Sequence, residues 1–283
     1  MSVVVATAAS LSIASRGRLM LSPVDMPPLP SMLGELLQVA NDPVVSSERL
    51  EQVIARDQVS TLRVLTVANS AYYGCSRQIE SVRRALLLLG TRQVQHIASA
   101  LALAPTFESA HGPALWRHGL ACALWSERVV ARLGLPPIDA LFTAALMHDI
   151  GIVIMLMRGE QWEQPCLDNA CAGRGALPAL ERAAFGFDHA ELGAKVCQSW
   201  RLPEPIWQLI ERHERPVAQG DVAHAVLAIA DHLAGAAGMP AAPGLEDPAP
   251  PRAALGVLGL DGAAIEQLLG ARGDIEAQVA VLT

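Results

Sequence analysis

Apolar residues recur along this chain at three- and four-residue spacing, and no segment alternates apolar and polar positions long enough to make a half-buried strand. The pattern becomes regular at Met26-Pro-Pro-Leu-Pro, after which Ser31 caps a helix through about Ala40 with Leu33, Leu36 and Leu37 on one face. Asn41-Asp-Pro43 breaks it. Ser46 or Ser47 caps the next helix, which carries Leu50, Val53 and Ile54. A third runs from about Ser60 to Ser70 with Leu62, Leu65, Val67 and Ala68 inward. After Tyr72-Tyr73-Gly74, Ser81 opens another helix, broken at Gly90 and restarted by Thr91, so that Val94, Ile97 and Leu101 continue the stripe.

The second half predicts longer elements. A helix from about Pro113 to Leu133 carries His118, with Gly134 as its C-cap. An Ala-rich helix from Ala140 ends in His148-Asp149, just before Gly151. Residues 158–178 lack clear periodicity and read as a loop with a short helix. Helices follow over Glu181–Phe185, from the Asp188 cap (with His189), from Glu204 to Glu211-Arg-His213-Glu214, and from Asp221 to about Gly238. The segment Pro240–Pro251 is a Pro/Ala-rich connection, and Ile265–Leu282 is a last amphipathic stretch interrupted at Gly270 and Gly273. The predicted fold is all-α.

Composition agrees. The chain has 283 residues, 52% of them hydrophobic, 17% charged and 4% aromatic, which describes a well-buried and helix-rich globular protein. A net charge of -7 supplies no general attraction to nucleic acid or anionic lipid, so neither partner is expected. Five cysteines without a Cys-x-x-Cys point to a reducing cytoplasm. The small apolar run Ser2–Ser15 precedes its positive charges, Arg16 and Arg18. That is the wrong order for a secretory signal, and the run is too short to span a membrane, so residues 1–22 are expected to be a flexible lead.

The candidate chemistry lies on five of the predicted helices: His118, His148-Asp149, His189, His213 and Asp231. Asp231 stands in an otherwise apolar run, Val226-Leu-Ala-Ile-Ala-Asp231, where a buried carboxylate needs a partner. Imidazoles and carboxylates brought together from separate helices are the usual way a helical bundle holds a divalent metal.

The ordered set His…His-Asp…Asp resembles the HD superfamily of metal-dependent phosphohydrolases, and its surroundings resemble the signalling branch, the HDOD (HD-related output domain) family. The matching stretches include Leu29-Pro-Ser-Met-Leu, Ala68-Asn-Ser-Ala-Tyr72, Ala85-Leu-Leu-Leu-Leu-Gly90, Leu115-Trp-Arg-His118, Leu146-Met-His-Asp-Ile-Gly151, Phe185-Gly-Phe-Asp-His189, Ile210-Glu-Arg-His213 and Ile229-Ala-Asp231. The resemblance implies an HD-like helical bundle with an additional N-terminal helical lobe. Its parts are expected over 23–107 (N-terminal lobe), 108–238 (HD-like lobe) and 239–283 (C-terminal helical extension). It implies His118, His148, Asp149 and Asp231 as ligands of one metal, and His189 and His213 as ligands of a second, with Asp149 bridging. The ion would be Fe, Mn, Mg or Zn. The function implied is a bacterial regulatory output module that binds a regulatory protein or a small signalling molecule. The alternative is a phosphohydrolase acting on a nucleotide or cyclic dinucleotide. Asn69, Ser70 and Tyr72, at a helix end where polar tips can stay exposed, are expected either to bind a partner or to form a packed joint between the lobes in which Asn69 caps a helix.

Three departures weigh against hydrolysis. The Gly-Tyr-Pro signature of the cyclic di-GMP-hydrolysing HD-GYP branch is absent, and that branch's paired histidines are replaced by His213-Glu214. Ile152 stands where a lysine is common, and the nearest recognisable cations are Arg117 and Arg212, neither clearly spaced to reach the site.

Overall fold

In a computed structural model of the chain, residues 12, 13, 15, 28–40, 47–74, 78–107, 112–242, 244, 245 and 249–283 are described. The expected lead over 1–22 falls almost wholly outside them, as do Ser46, Cys75 and the side chain of Leu37. Among the described residues there are helices, turns and no strand.

The first group comprises α1 (Ser31–Ala40), α2 (Ser47–Ala55), α3 (Gln58–Ala68), α4 (Val82–Leu89) and α5 (Thr91–Leu103), closed by a 3-10 turn over Ala104–Phe107. Side-chain caps set two of its starts. Asp57 accepts from Val59 N and Ser60 N at the head of α3, and Ser81 accepts from Arg84 N at the head of α4. The helix α3 starts two residues earlier than expected, and its buried face is Val64, Val67 and Ala68. Leu62, expected to point inward, is 66% exposed.

The second group holds α6 (Gly112–Arg132), α7 (Asp139–Met147), α8 (Ile150–Cys171), α9 (Leu177–Phe185), α10 (His189–Ser199), α11 (Glu204–Arg212) and α12 (Val222–Ala236). Helix α6 lies between α7 and α12, while α10 packs on α8 and α11, and α11 on α7. Of residues 158–178, expected to be a loop with a short helix, 158–171 are the second half of α8, and only 172–176 form a connection before α9. Gly159 leaves helical geometry (φ -159°, ψ 44°) and kinks the helix, so the apolar face before it does not continue in phase with Trp162, Cys166, Leu167 and Ala170 after it. The apolar stretch Leu141–Cys171 is long enough to cross a membrane, but 89% of its most apolar window is buried inside the protein.

The third group is α13 (Arg252–Leu258), α14 (Gly262–Leu269) and α15 (Arg272–Leu282). Helix α13 packs on α12, whereas α15 packs on both α6 and α5 and bridges the first two groups. Gly273 lies within α15, so the last stretch is interrupted once, at Gly270-Ala271, and not twice as its glycines predicted. The buried side chains of all three groups form one continuous cluster.

Candidate metal centre

The His-Asp pair sits at a joint between two helices. Helix α7 ends at Met147, His148 follows in αR geometry, and Asp149 precedes the first residue of α8. Gly151 is therefore inside α8 and is no cap. Its missing side chain lets the start of α10 cross so closely that a Cβ would overlap the His189 carbonyl. At Gly119 a Cβ would lie 2.6 Å from the Leu146 carbonyl oxygen, so α6 approaches α7 in the same way and carries His118 in with it.

Four imidazoles meet at Asp149. On one side, His118 Nε2 and His148 Nε2 are 3.2 Å apart, and they lie 3.7 and 3.3 Å from Asp149 Oδ2. Asp231 Oδ1 is 3.1 Å from His118 Nε2. On the other side, His189 Nε2 and His213 Nε2 are also 3.2 Å apart, each 3.6 Å from Asp149 Oδ1. Glu214 Oε1 lies 3.3 Å from His189 Nε2 and 3.6 Å from His213 Nε2. Each half thus has two imidazoles, one oxygen of the shared Asp149 and one further carboxylate.

All six residues anticipated from the sequence come together. One expectation about them fails: Asp231 is not buried, since its side chain is 49% exposed and faces the open pocket. Glu214, one of the departures that weigh against hydrolysis, stands beside both imidazoles of the second half. Two other residues were missed. Cys122, one helical turn after His118, places Sγ 3.5 Å from His118 Nε2 and 3.9 Å from Asp231 Oδ1; burial pushes its thiol up to about 11. Glu181, fully buried on α9, accepts from His189 N at 2.9 Å and lies 2.8 Å from His189 Nδ1.

The outer nitrogens decide the tautomers. Nδ1 of His118 faces Met239 O at 2.8 Å, Nδ1 of His148 faces Ala145 O at 2.7 Å, and Nδ1 of His213 faces Ile210 O at 2.7 Å. Carbonyl oxygens only accept, so each Nδ1 carries hydrogen, and a neutral ring turns its Nε2 lone pair inward. Two pairs of lone pairs then face each other at 3.2 Å. Such an arrangement needs a cation between them, either a proton or a metal ion.

The electrostatics agree. Burial opposes charge on His118, but Cys122 and Asp231 outweigh it and hold its pKa well above the ordinary range. His189 behaves alike: burial is outweighed by Glu181 and Glu214. For His213, burial is outweighed by Asp149 and Glu214. His148 goes the other way, lowered chiefly by burial. Burial would raise Asp149, yet the surrounding imidazoles, His148 first, hold it well below the usual carboxylate range. Behind His189 the fully buried Glu163 is pushed up to about 9 by burial and by Glu181. Among the described residues neither of its oxygens has a hydrogen-bond partner, a situation a neutral carboxyl bears at lower cost than a carboxylate.

The cluster forms the floor of a pocket of about 580 Å³, with Ile152 in its wall. Arg117 and Arg212 do not line it; Arg212 is ion-paired to Asp221 at 2.9 Å. Arg215 and Arg252, which the sequence reading did not single out, do line it, and both are exposed. Asn69, Ser70 and Tyr72 lie elsewhere, in the first group of helices. The Asn69 amide is spent on the Ile79 backbone, donating to its carbonyl at 2.8 Å and accepting from its N–H at 2.7 Å. Among the described residues the buried Ser70 hydroxyl has no hydrogen-bond partner, and Tyr72 is 36% exposed.

The HDOD domain family model matches residues 26–216, and the chain belongs to that family. It is similar to the crystal structure of an HDOD domain protein of unknown function from Geobacter sulfurreducens, with 25% identity and a TM-score of 0.79, covering 96% of this chain and 99% of that one. A protein from Shewanella amazonensis SB2B, described as a candidate phosphohydrolase, has 23% identity and a TM-score of 0.74, covering 94% and 99%. One from Marinobacter aquaeolei VT8, described as a candidate signal transduction protein, has 20% identity and a TM-score of 0.71, covering 91% and 60%. An uncharacterized protein of Treponema pallidum (strain Nichols) is 25% identical over 201 residues; the match takes in 67% of this chain and only 37% of that protein.

Proposed function

We propose that this chain is a signal-transduction output module in which a two-metal centre, held by His118, His148, Asp149 and Asp231 on one side and His189, His213 and Glu214 on the other, forms the floor of a receptor for a small phosphorylated molecule. The observation that carries the reading is the convergence of four Nε2 atoms on the two oxygens of Asp149. Mixed nitrogen and oxygen donors suit Fe, Mn or Zn better than Mg. Bound there, such ions supply Lewis-acid contacts for phosphoryl oxygens. The chain's own contribution is anchoring. Arg215 and Arg252 stand at the exposed rim of the same pocket, where guanidinium groups recognise phosphate. The wall beside the His-Asp pair offers Ile152, 1% exposed, in place of a cation. Recognition without efficient turnover is the outcome this distribution of charge favours. The likeness to a candidate signal transduction protein supports the regulatory side of the reading. Large exposed apolar side chains on α3 and α4 (Val59, Leu62, Leu87, Leu88) and Tyr72 offer a surface to a regulatory protein. The unbridged thiols of Cys122 and Cys197 accord with a cytoplasmic place.

Elemental analysis and a hydrolysis assay test this together. Two ions per chain are expected, with binding of cyclic di-GMP or a generic phosphodiester weakened about tenfold or more by an Arg215→Ala, Arg252→Ala double variant. Protein free of metal after loading with Mn, Fe and Zn would sink the reading. A second reading, metal-dependent phosphohydrolase, is favoured by Glu214, which completes the second donor set. Robust turnover of bis(p-nitrophenyl) phosphate, abolished by Asp149→Ala, would establish it instead.

A further inference from the structure

We propose that a second cavity, between α5, α7 and α11, binds a small uncharged nitrogen heterocycle and passes its occupancy to the metal centre through α7 and α11. The cavity measures about 290 Å³, at the small end of the range for ligand sites. One side is polar: Gln95, His96 and Ser99 from α5, with Asp139 and Thr143 from α7. The other is apolar, built by Pro203, Pro205 and Ile206 at the start of α11.

The polar side is not satisfied by the protein. Ser99 and Thr143 are 2% and 5% exposed, yet among the described residues neither side chain makes a hydrogen bond, nor does that of Gln95. Both hydroxyls open on the cavity, where they are free to bond to a ligand. The charge pattern says which kind. Among the described residues no Lys or Arg lines the space, so phosphates and carboxylates have no partner there; Asp139 is the one charged residue of the described lining and accepts hydrogen bonds. His96 is stacked flat on Phe142 (ring centroids 3.7 Å apart, 3° between planes) and is kept neutral, pushed down to about 3 by burial and by Arg92. A flat, neutral ring with amine donors and ring acceptors matches a slot with apolar residues on one side and hydroxyl, amide and carboxylate groups on the other.

The link to the metal centre lies in two helices that start at one site and end at the other. Helix α7 begins at Asp139 in the cavity, and His148 and Asp149 follow its last residue. Helix α11 begins beside Pro203 and Pro205, and His213 and Glu214 follow its last residue. Each is nine residues long, about 13 Å, and the two pack against one another. Close-packed helices move as units, so a ligand that shifts their first turns shifts four of the seven proposed donor residues. This linkage rests on the metal reading above; the binding itself does not.

Adenine is the probe. Titrated calorimetrically into the metal-free full chain, it is expected to bind once per chain. Thr143→Val and Gln95→Leu, both close in shape to the originals, should each weaken it about tenfold. Circular dichroism checks that both variants fold. No binding up to the solubility limit of adenine, or binding indifferent to both substitutions, overturns the site. With saturating adenine the dissociation constant for Mn²⁺ should change at least fivefold, and Mn²⁺ should change that for adenine by the same factor. Equal Mn²⁺ affinity with and without bound adenine overturns the linkage. Failure to take up Mn²⁺ in either state overturns the metal reading and the linkage with it, while the adenine isotherm stands or falls by itself.

Discussion

Gly151 on α8 and His189 at the start of α10 approach so closely that no side chain can stand between them: a Cβ on Gly151 would overlap the His189 carbonyl oxygen. That contact brings the second pair of imidazoles against Asp149, two residues before Gly151. The cost of a methyl group here is a backbone collision, which no rotamer relieves.

Gly151→Ala is therefore expected to destabilise the protein by about 3 kcal/mol or more and to lower metal content, as read by chemical denaturation and elemental analysis. Gly256 on α13 is the control. A Cβ there meets nothing within 4 Å, so Gly256→Ala should be neutral or stabilising by up to about 1 kcal/mol. Similar behaviour of the two variants would show that α8 and α10 can separate at little cost.

The carboxylates should be separable by metal count. Asp149 serves both halves, so Asp149→Ala should remove both ions. Asp231→Ala and Glu214→Ala should each weaken one half and leave about one ion per chain at limiting metal. Equal loss in all three would mean that the halves are not distinct.

Behind the site, Glu181 fixes His189 through Nδ1, and Glu181→Ala should weaken metal binding by roughly ten- to a hundredfold with α9 and α10 intact. Its neighbour Glu163 gives a pH signature. With a folded pKa raised to about 9 against an ordinary 4.5, it stays protonated when folded while the unfolded chain loses the proton. Its contribution to stability is thus fully present below about pH 4.5 and declines as pH rises towards 9. Glu163→Gln keeps a neutral group of like shape and escapes this decline. Relative to the parent, the variant should gain up to roughly 1 kcal/mol per pH unit over that window, measured by denaturation from pH 5 to 9. A constant difference across the range would place the proton elsewhere.

Metal and protons compete for the same nitrogens. His118, His189 and His213 have raised pKa values without metal, each because nearby carboxylates or Cys122 outweigh burial. In the metal-free protein the stability these rings contribute is present below their unfolded value near 6.5 and is lost as pH rises through the raised folded values. Metal affinity should run the opposite way, rising with pH as the rings lose protons, with proton release on binding. Calorimetry in buffers of different ionisation enthalpy counts those protons; none released at pH 7 would mean that the rings are already neutral.

The local pattern of the sequence determined most of the helices. Ser81, Asp188 and Asp221 cap where they were expected, and apolar spacing placed Leu50, Val53, Ile54, Val94 and Ile97 in the core. Caps and i, i+3 or i, i+4 faces are interactions within a few residues, so they are legible along the chain. The identities of His118, His148, Asp149, His189, His213 and Asp231 were legible too, as groups that need partners. What only the tertiary structure decided was where those partners are. The kink at Gly159 hid the continuation of α8, because a change of direction resets the phase of the pattern. Glu214 became a donor, Asp231 turned out to face an open pocket, and Arg215 and Arg252 became its cations, through contacts between helices far apart in sequence. Gly151 looked like a helix end and is a crossing point. Backbone proximity between α8 and α10 depends on how whole helices pack, and the spacing of residues along either one carries no trace of it.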